Sequence, residues 1–193
     1  MGSSDMSAGV MEQRKKIHPH KFTLWVGIGS LLMMFAGLTS AYIVKRNQAN
    51  WQTFELPQFF WYSTIAILLS SGTIYLAQKA FKQREMKKYR SLVVATLVLG
   101  VLFIVFQVFG FQQFWKNGLP LGENVSTDFL YVIVGLHGAH VAGGLIVLII
   151  LFAKAFNTRT RTYNSIPVEL ASTYWHFVDV LWIYLLIFLM MIR

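Results

Sequence analysis

Residues 92–115 read LVVATLVLGVLFIVFQVFGFQQFW, without one charged side chain. About 20 apolar residues suffice to cross a hydrocarbon core of roughly 30 Å as a helix. In lipid such a segment must be helical, because every backbone N–H and C=O needs an internal partner. Working outward, residues 22–44, 59–77 and 129–153 are equally free of Lys, Arg, Asp and Glu. Residues 170–192 form a fifth apolar run, broken only by His176 and Asp179. The pattern predicts an all-α, polytopic membrane protein: a basic segment over 1–21, then a bundle of five transmembrane helices over 22–193. The helices are expected at about 22–44, 58–80, 91–115, 128–156 and 168–192.

Composition agrees. Hydrophobic residues make up 55% of the 193 and charged residues 13%, where a soluble domain carries roughly 25% charged. The absence of cysteine excludes disulfides, thiolate metal sites and cysteine nucleophiles. The polar segment 1–21 leads into a run too long for a signal-peptide core and without a small-residue cleavage site, so 22–44 reads as a retained helix.

A net charge of +9 raises the question of nucleic acid, and its distribution answers it. Basic residues alternate by loop. Arg14, Lys15, Lys16 and Lys21 precede the first helix, six more lie between Lys79 and Arg90, and Lys154, Arg159 and Arg161 follow the fourth helix. The intervening loops and the tail hold only Lys45, Arg46, Lys116 and Arg193. The positive-inside rule then puts the N-terminus inside and the C-terminus outside. Trp25, Trp51, Trp61, Trp115, Tyr62 and Tyr131 fall near expected helix ends, as interfacial aromatics do. Asn117–Gly122 is turn-rich, Ser126 or Thr127 is placed to cap the fourth helix, and Pro167 and Glu169 suit the first turn of the fifth. Asn124-Val125-Ser126 matches a glycosylation sequon by accident of position at a membrane surface.

Small residues recur at helical spacing: Ala66, Ser70, Thr73 and Ala77 in the second helix, and Gly135, Gly138 and Ala142 in the fourth, with Gly143 and Gly144 nearby. Such stripes let helices approach closely in lipid. The fifth helix carries a polar stripe. Glu169, Ser172, His176 and Asp179 follow at spacings of three, four and three, so all four share one face. Asp179 lies about nine residues in, roughly 14 Å at 1.5 Å per residue. A carboxylate at that depth must face protein and be hydrogen-bonded or protonated, and His176 is within reach along the helix.

The fourth helix adds His137 and His140. Three readings of the membrane histidines stand open: structural groups pinning the fourth helix to the fifth, a proton-handling cluster with Asp179 and Glu169, and axial ligation of a haem. His18-Pro19-His20 reads as interfacial rather than as a metal site. No phosphate loop, nucleophile elbow or His-Glu-x-x-His is present.

Gly135-Leu136-His137-Gly138-Ala139-His140-Val141, followed by Tyr174-Trp175-His176-Phe177-Val178-Asp179-Val180-Leu181-Trp182, resembles the last two helices of cytochrome c oxidase subunit III. Phe35-Ala36-Gly37-Leu38-Thr39-Ser40-Ala41-Tyr42 looks like the end of that family's first shared helix, and Glu169 falls where the family has a glutamate. The five-helix length resembles the bacterial form. Two departures are visible: Leu31 stands where the family usually has a buried glutamate, and a second family glutamate is missing near Gly110. Without the first, His140 is expected to seek a partner on the Glu169–Asp179 stripe.

The resemblance implies a non-redox subunit of an aerobic respiratory oxidase in the bacterial inner membrane. Haem and copper are then expected in partner subunits and none in this chain. It implies packing on catalytic subunit I among other oxidase subunits, bound phospholipid, support of proton uptake and turnover stability, and room for a respiratory supercomplex. No nucleic acid partner follows. Subunit III of a quinol oxidase and the homologue attached to nitric oxide reductases share the fold. A stand-alone proton-coupled transporter is the alternative from another class, although such proteins usually show inverted repeats and this sequence shows none.

Overall fold

A computed structural model describes residues 19–46, 56–118, 121–122, 125–156 and 165–192. Every element among them is helical: α1 (Pro19–Lys45), α2 (Phe59–Lys82), α3 (Met86–Lys116), α4 (Val125–Phe156) and α5 (Ile166–Ile192). All five are long and apolar enough to cross a membrane. α3 begins at Met86, ahead of its apolar run, because a helix end outside hydrocarbon needs propensity rather than apolar side chains. Arg14, Lys15, Lys16, His18, Trp51, Pro120, Asn124, Arg159, Arg161 and Arg193 lie outside the described residues.

α2 and α3 form an antiparallel hairpin. Its turn is a Schellman closure: Glu85 N–H bonds to Ala80 O, Arg84 N–H to Phe81 O, and Arg84 takes a left-handed φ of 61°. The hairpin packs through the predicted α2 stripe. Ser70 and Thr73 meet Thr96 of α3, with Thr73 Oγ1 2.8 Å from Thr96 Oγ1. α4 packs on α3, and α5 on both α2 and α4, so α2–α5 close a four-helix bundle. α1 lies outside this ring, touching α4 and α5 but making no close backbone contact with α2 or α3.

The core is built on two indoles. Trp175 and Trp182 of α5 are buried and donate Nε1–H to α2, to Ser70 Oγ at 3.0 Å and Thr64 Oγ1 at 2.9 Å. Room for the first comes from glycines. A Cβ on Gly100 would meet Leu145 at 2.7 Å and Trp175 at 2.9 Å, and Gly144 lies against the same indole. Gly135 and Gly138, in contrast, face open space, so the α4 stripe picked out by spacing is not where α4 packs closest. Gly110 sits under the Phe60 ring, 2.6 Å from where a Cβ would stand, which explains why no larger residue occupies that position.

One helix-end expectation changes. Ser126 and Thr127 lie inside the first turn of α4, buried and with hydroxyls that find no partner among the described residues, rather than capping it. Asp128 instead holds the preceding turn, accepting from Gly122 N–H at 2.6 Å. Trp25, Trp61 and Trp115 are exposed near helix ends, as interfacial indoles should be.

Candidate functional site

The six polar residues singled out in α4 and α5 separate into three places. Glu169, in the first turn of α5, forms ion pairs with Lys21 of α1 at 3.1 Å and Lys82 of α2 at 3.4 Å. This carboxylate therefore ties the start of α1, the end of α2 and the start of α5 together. Both lysines belong to the basic clusters that set the expected topology.

One turn deeper, Ser172 is buried, its hydroxyl without a partner among the described residues. His176 is half-buried and places Nδ1 2.6 Å from Ser71 Oγ of α2. Asp179 is 2% exposed, and among the described residues neither carboxylate oxygen completes a hydrogen bond, although the Ser71 side chain faces it. The pairing of Asp179 with His176 is not made. Both turn toward α2, and Ser71 lies between them. The polar face of α5 is thus pinned to α2, through Ser71 and Lys82, rather than to α4.

On the α4 side, His137 is 0% exposed and neither ring nitrogen has a hydrogen-bond partner among the described residues. Its ring stacks on Trp182 at 5.3 Å, with Phe103 and Phe35 edge-on at 5.9 and 6.3 Å. The imidazole is enclosed by rings from α1, α3 and α5, so its shape rather than its nitrogens is used. His140 donates Nδ1–H to Leu136 O at 2.7 Å, within its own helix, and not to the α5 stripe. Its backbone carbonyl accepts from the Tyr174 hydroxyl at 3.1 Å, a polar link between α4 and α5. Among the described residues no group of three or more His, Cys, Asp or Glu is placed to share a metal ion.

Where α1 stands off the bundle, two clefts open. The larger, about 700 Å³, lies between α1 and α5 and is lined by Thr23, Gly27, Leu31, Leu170 and Tyr174, with His20 at its mouth. The second, about 480 Å³, reaches α4 through Gly143 and Val147, with Lys154 at its rim. Leu31 therefore lines an apolar cleft. Sequence reasoning missed Ser71, Thr64 and the two indole donors. The signal was present in hydroxyl side chains at mid-helix, which in lipid need a partner.

The sequence profile described as cytochrome c oxidase subunit III matches residues 47–192, more than half of the chain. The chain belongs to the cytochrome c oxidase subunit III family. Among relatives of this subunit III, the cytochrome c oxidase subunit 3 of Bacillus sp. (strain PS3) is 28% identical over 166 residues, covering 83% of this chain and 80% of the relative. The probable cytochrome c oxidase subunit 3 of Mycobacterium leprae is 29% identical over 172 residues, covering 87% and 85%. A probable quinol oxidase subunit 3 of Staphylococcus aureus (strain USA300) is 26% identical over 172 residues, covering 86% and 85%. A haem–copper oxidase subunit III is thus a multi-pass membrane component of an oxidase complex with other subunits.

Proposed function

We propose that this chain is the non-redox subunit III of a bacterial cytochrome c oxidase, packed on catalytic subunit I in the cytoplasmic membrane with its N-terminus inside. It sustains proton uptake and turnover stability while haem and copper sit in the partner subunits. The observation that carries the non-redox assignment is how the membrane histidines are used. His137 is packed among rings, His140 bonds its own backbone and His176 bonds Ser71, so the three do not converge on one point. A centre held by two or more protein ligands needs them to converge on one position.

Bound phospholipid fits the same reading. The two clefts beside α1 are apolar inside and carry Lys154 and His20 at their rims, suiting acyl chains below a phosphate. Lipid fixed there and a close-packed bundle shield a neighbouring proton entrance without supplying a carboxylate from α1, where Leu31 stands. The relatives include both cytochrome c and quinol oxidase subunits, so the quinol oxidase is the second reading.

The test compares the purified oxidase with this chain present, with it removed, and with it removed but phospholipid restored. Oxygen consumption, turnover lifetime and protons pumped per electron are measured in each. Initial oxygen reduction should survive removal, while turnover lifetime or pumping falls. Immediate loss of oxygen reduction would place a redox role in this chain. Identical lifetime and pumping in all three would leave it an assembly factor.

A further inference from the structure

α1 and α2 flank α5 with no close backbone contact between them. The outer face of α5 is therefore the floor of an open groove. Thr173, Val180, Tyr184 and Ile187 on that floor are exposed, with His176 half-buried among them. One wall is tied to the floor by Thr39 and the Tyr184 hydroxyl at 3.0 Å, the other by Ser71 and His176 at 2.6 Å. Glu169 closes one end by pairing with a lysine from each wall.

Most of this floor suits lipid, but His176 does not. Its Nδ1 is engaged with Ser71. Its Nε2 makes no hydrogen bond among the described residues, and it is not sealed inside the bundle. His176 lies seven residues beyond Glu169, roughly 10 Å deeper at 1.5 Å per residue. An acyl chain offers neither donor nor acceptor at that depth, where a bare polar nitrogen is costly. The wall beside Ser71 is Gly72, exposed and with open space where a side chain would begin, so another helix backbone has room to approach.

We propose that a transmembrane helix of another oxidase subunit fills this groove and presents a hydroxyl, amide or carboxyl side chain to Nε2 of His176. The inference rests on the reading of this chain as part of an oxidase complex. Lipid is disfavoured as the occupant because its polar atoms stop at headgroup level, above the unpartnered nitrogen.

The test places the photo-cross-linker p-benzoylphenylalanine at Val180 on the floor, at Leu68 on the α2 wall, or at Ile149, exposed on α4 away from the groove. The whole complex is irradiated in its native membrane and adducts are identified by mass spectrometry. Val180 and Leu68 should each give an adduct to another oxidase subunit, mapped to a transmembrane helix bearing a polar residue. Lipid adducts alone at both positions, with a subunit adduct at Ile149, would leave the complex intact and overturn the groove assignment. An adduct to a second copy of this chain would overturn it too. Failure of this chain to co-purify with any oxidase subunit would instead remove the reading beneath it. A second measurement uses His176→Leu and Ser71→Ala. His176→Leu should lower the share of chain retained in the detergent-extracted complex roughly three- to tenfold. Ser71→Ala keeps Nε2 and reports the cost of losing the internal bond alone. Equal losses in the two variants would refute a contact at Nε2.

Discussion

Gly100 shows how much of this bundle depends on what single residues lack. Trp175 cannot retreat from it, because its indole N–H is held by Ser70 and its far edge rests on Gly144. Gly100→Ala should therefore destabilise the bundle by about 1–3 kcal/mol, the usual cost of overpacking. Gly29→Ala meets open space and should be neutral or stabilising by up to about 1 kcal/mol through helix propensity. Denaturant titration of both variants in mixed micelles checks the contrast. Asp179 makes a different kind of prediction. Among the described residues no hydrogen bond closes on either of its oxygens, and a buried polar group without a partner is unfavourable. Asp179→Leu should leave the isolated chain as stable as the parent or more so, measured in the same titration. A loss of more than about 1 kcal/mol would show that the carboxyl is bonded within the bundle. If the variant is stable and assembles but proton pumping by the complex falls, the carboxyl acts in proton handling. The residue types in this stripe were legible in the sequence. Their partners were not, because a serine on another helix carries no sign of which side chain it will face.

At the scale of elements, the hairpin of α2 and α3 and the outlying α1 play unequal parts. The starts of α1 and α5 and the end of α2 meet at one end of the molecule, joined through Glu169. Lys21 and Lys82 thus gather on the side where the loop count concentrates thirteen of seventeen basic residues. This supports the proposed orientation, and a phosphatase fused after Arg193 should be active, as an external reporter must be. An inactive C-terminal fusion accompanied by an active N-terminal one would invert the assignment. Apolar run length revealed the five helices, since a bilayer admits few other solutions. It was silent on which helix stands apart. The α4 glycines illustrate this: spacing marked Gly135 and Gly138, yet close packing uses Gly144 and, on α3, Gly100 and Gly110.

For the whole molecule, the stand-off of α1 is the feature with a measurable consequence. Gly143 lines the second cleft and has open space where a side chain would begin. Gly143→Leu should fill part of that cleft and lower the phospholipid retained by the purified complex, counted by mass spectrometry. Gly135→Leu, also facing open space on α4 but outside both clefts, should leave lipid content unchanged. Equal lipid in the two variants would mean that the cleft is not a lipid site.

The sequence by itself determined the membrane class, the number of spanning helices and the family, because hydropathy is a local property and the His137–His140 and His176–Asp179 motifs are contiguous. It also brought the polar residues of α5 onto one face. Only the tertiary structure decided what that face meets. It turned Asp179 and His176 toward α2, closed His137 among aromatic rings, sent His140 back to its own helix and left α1 apart. The physical reason is that lipid supplies no directional preference among apolar helix faces. Which faces meet is chosen by the fit of glycines to indoles and of hydroxyls to ring nitrogens, and that fit exists only between segments distant in the chain.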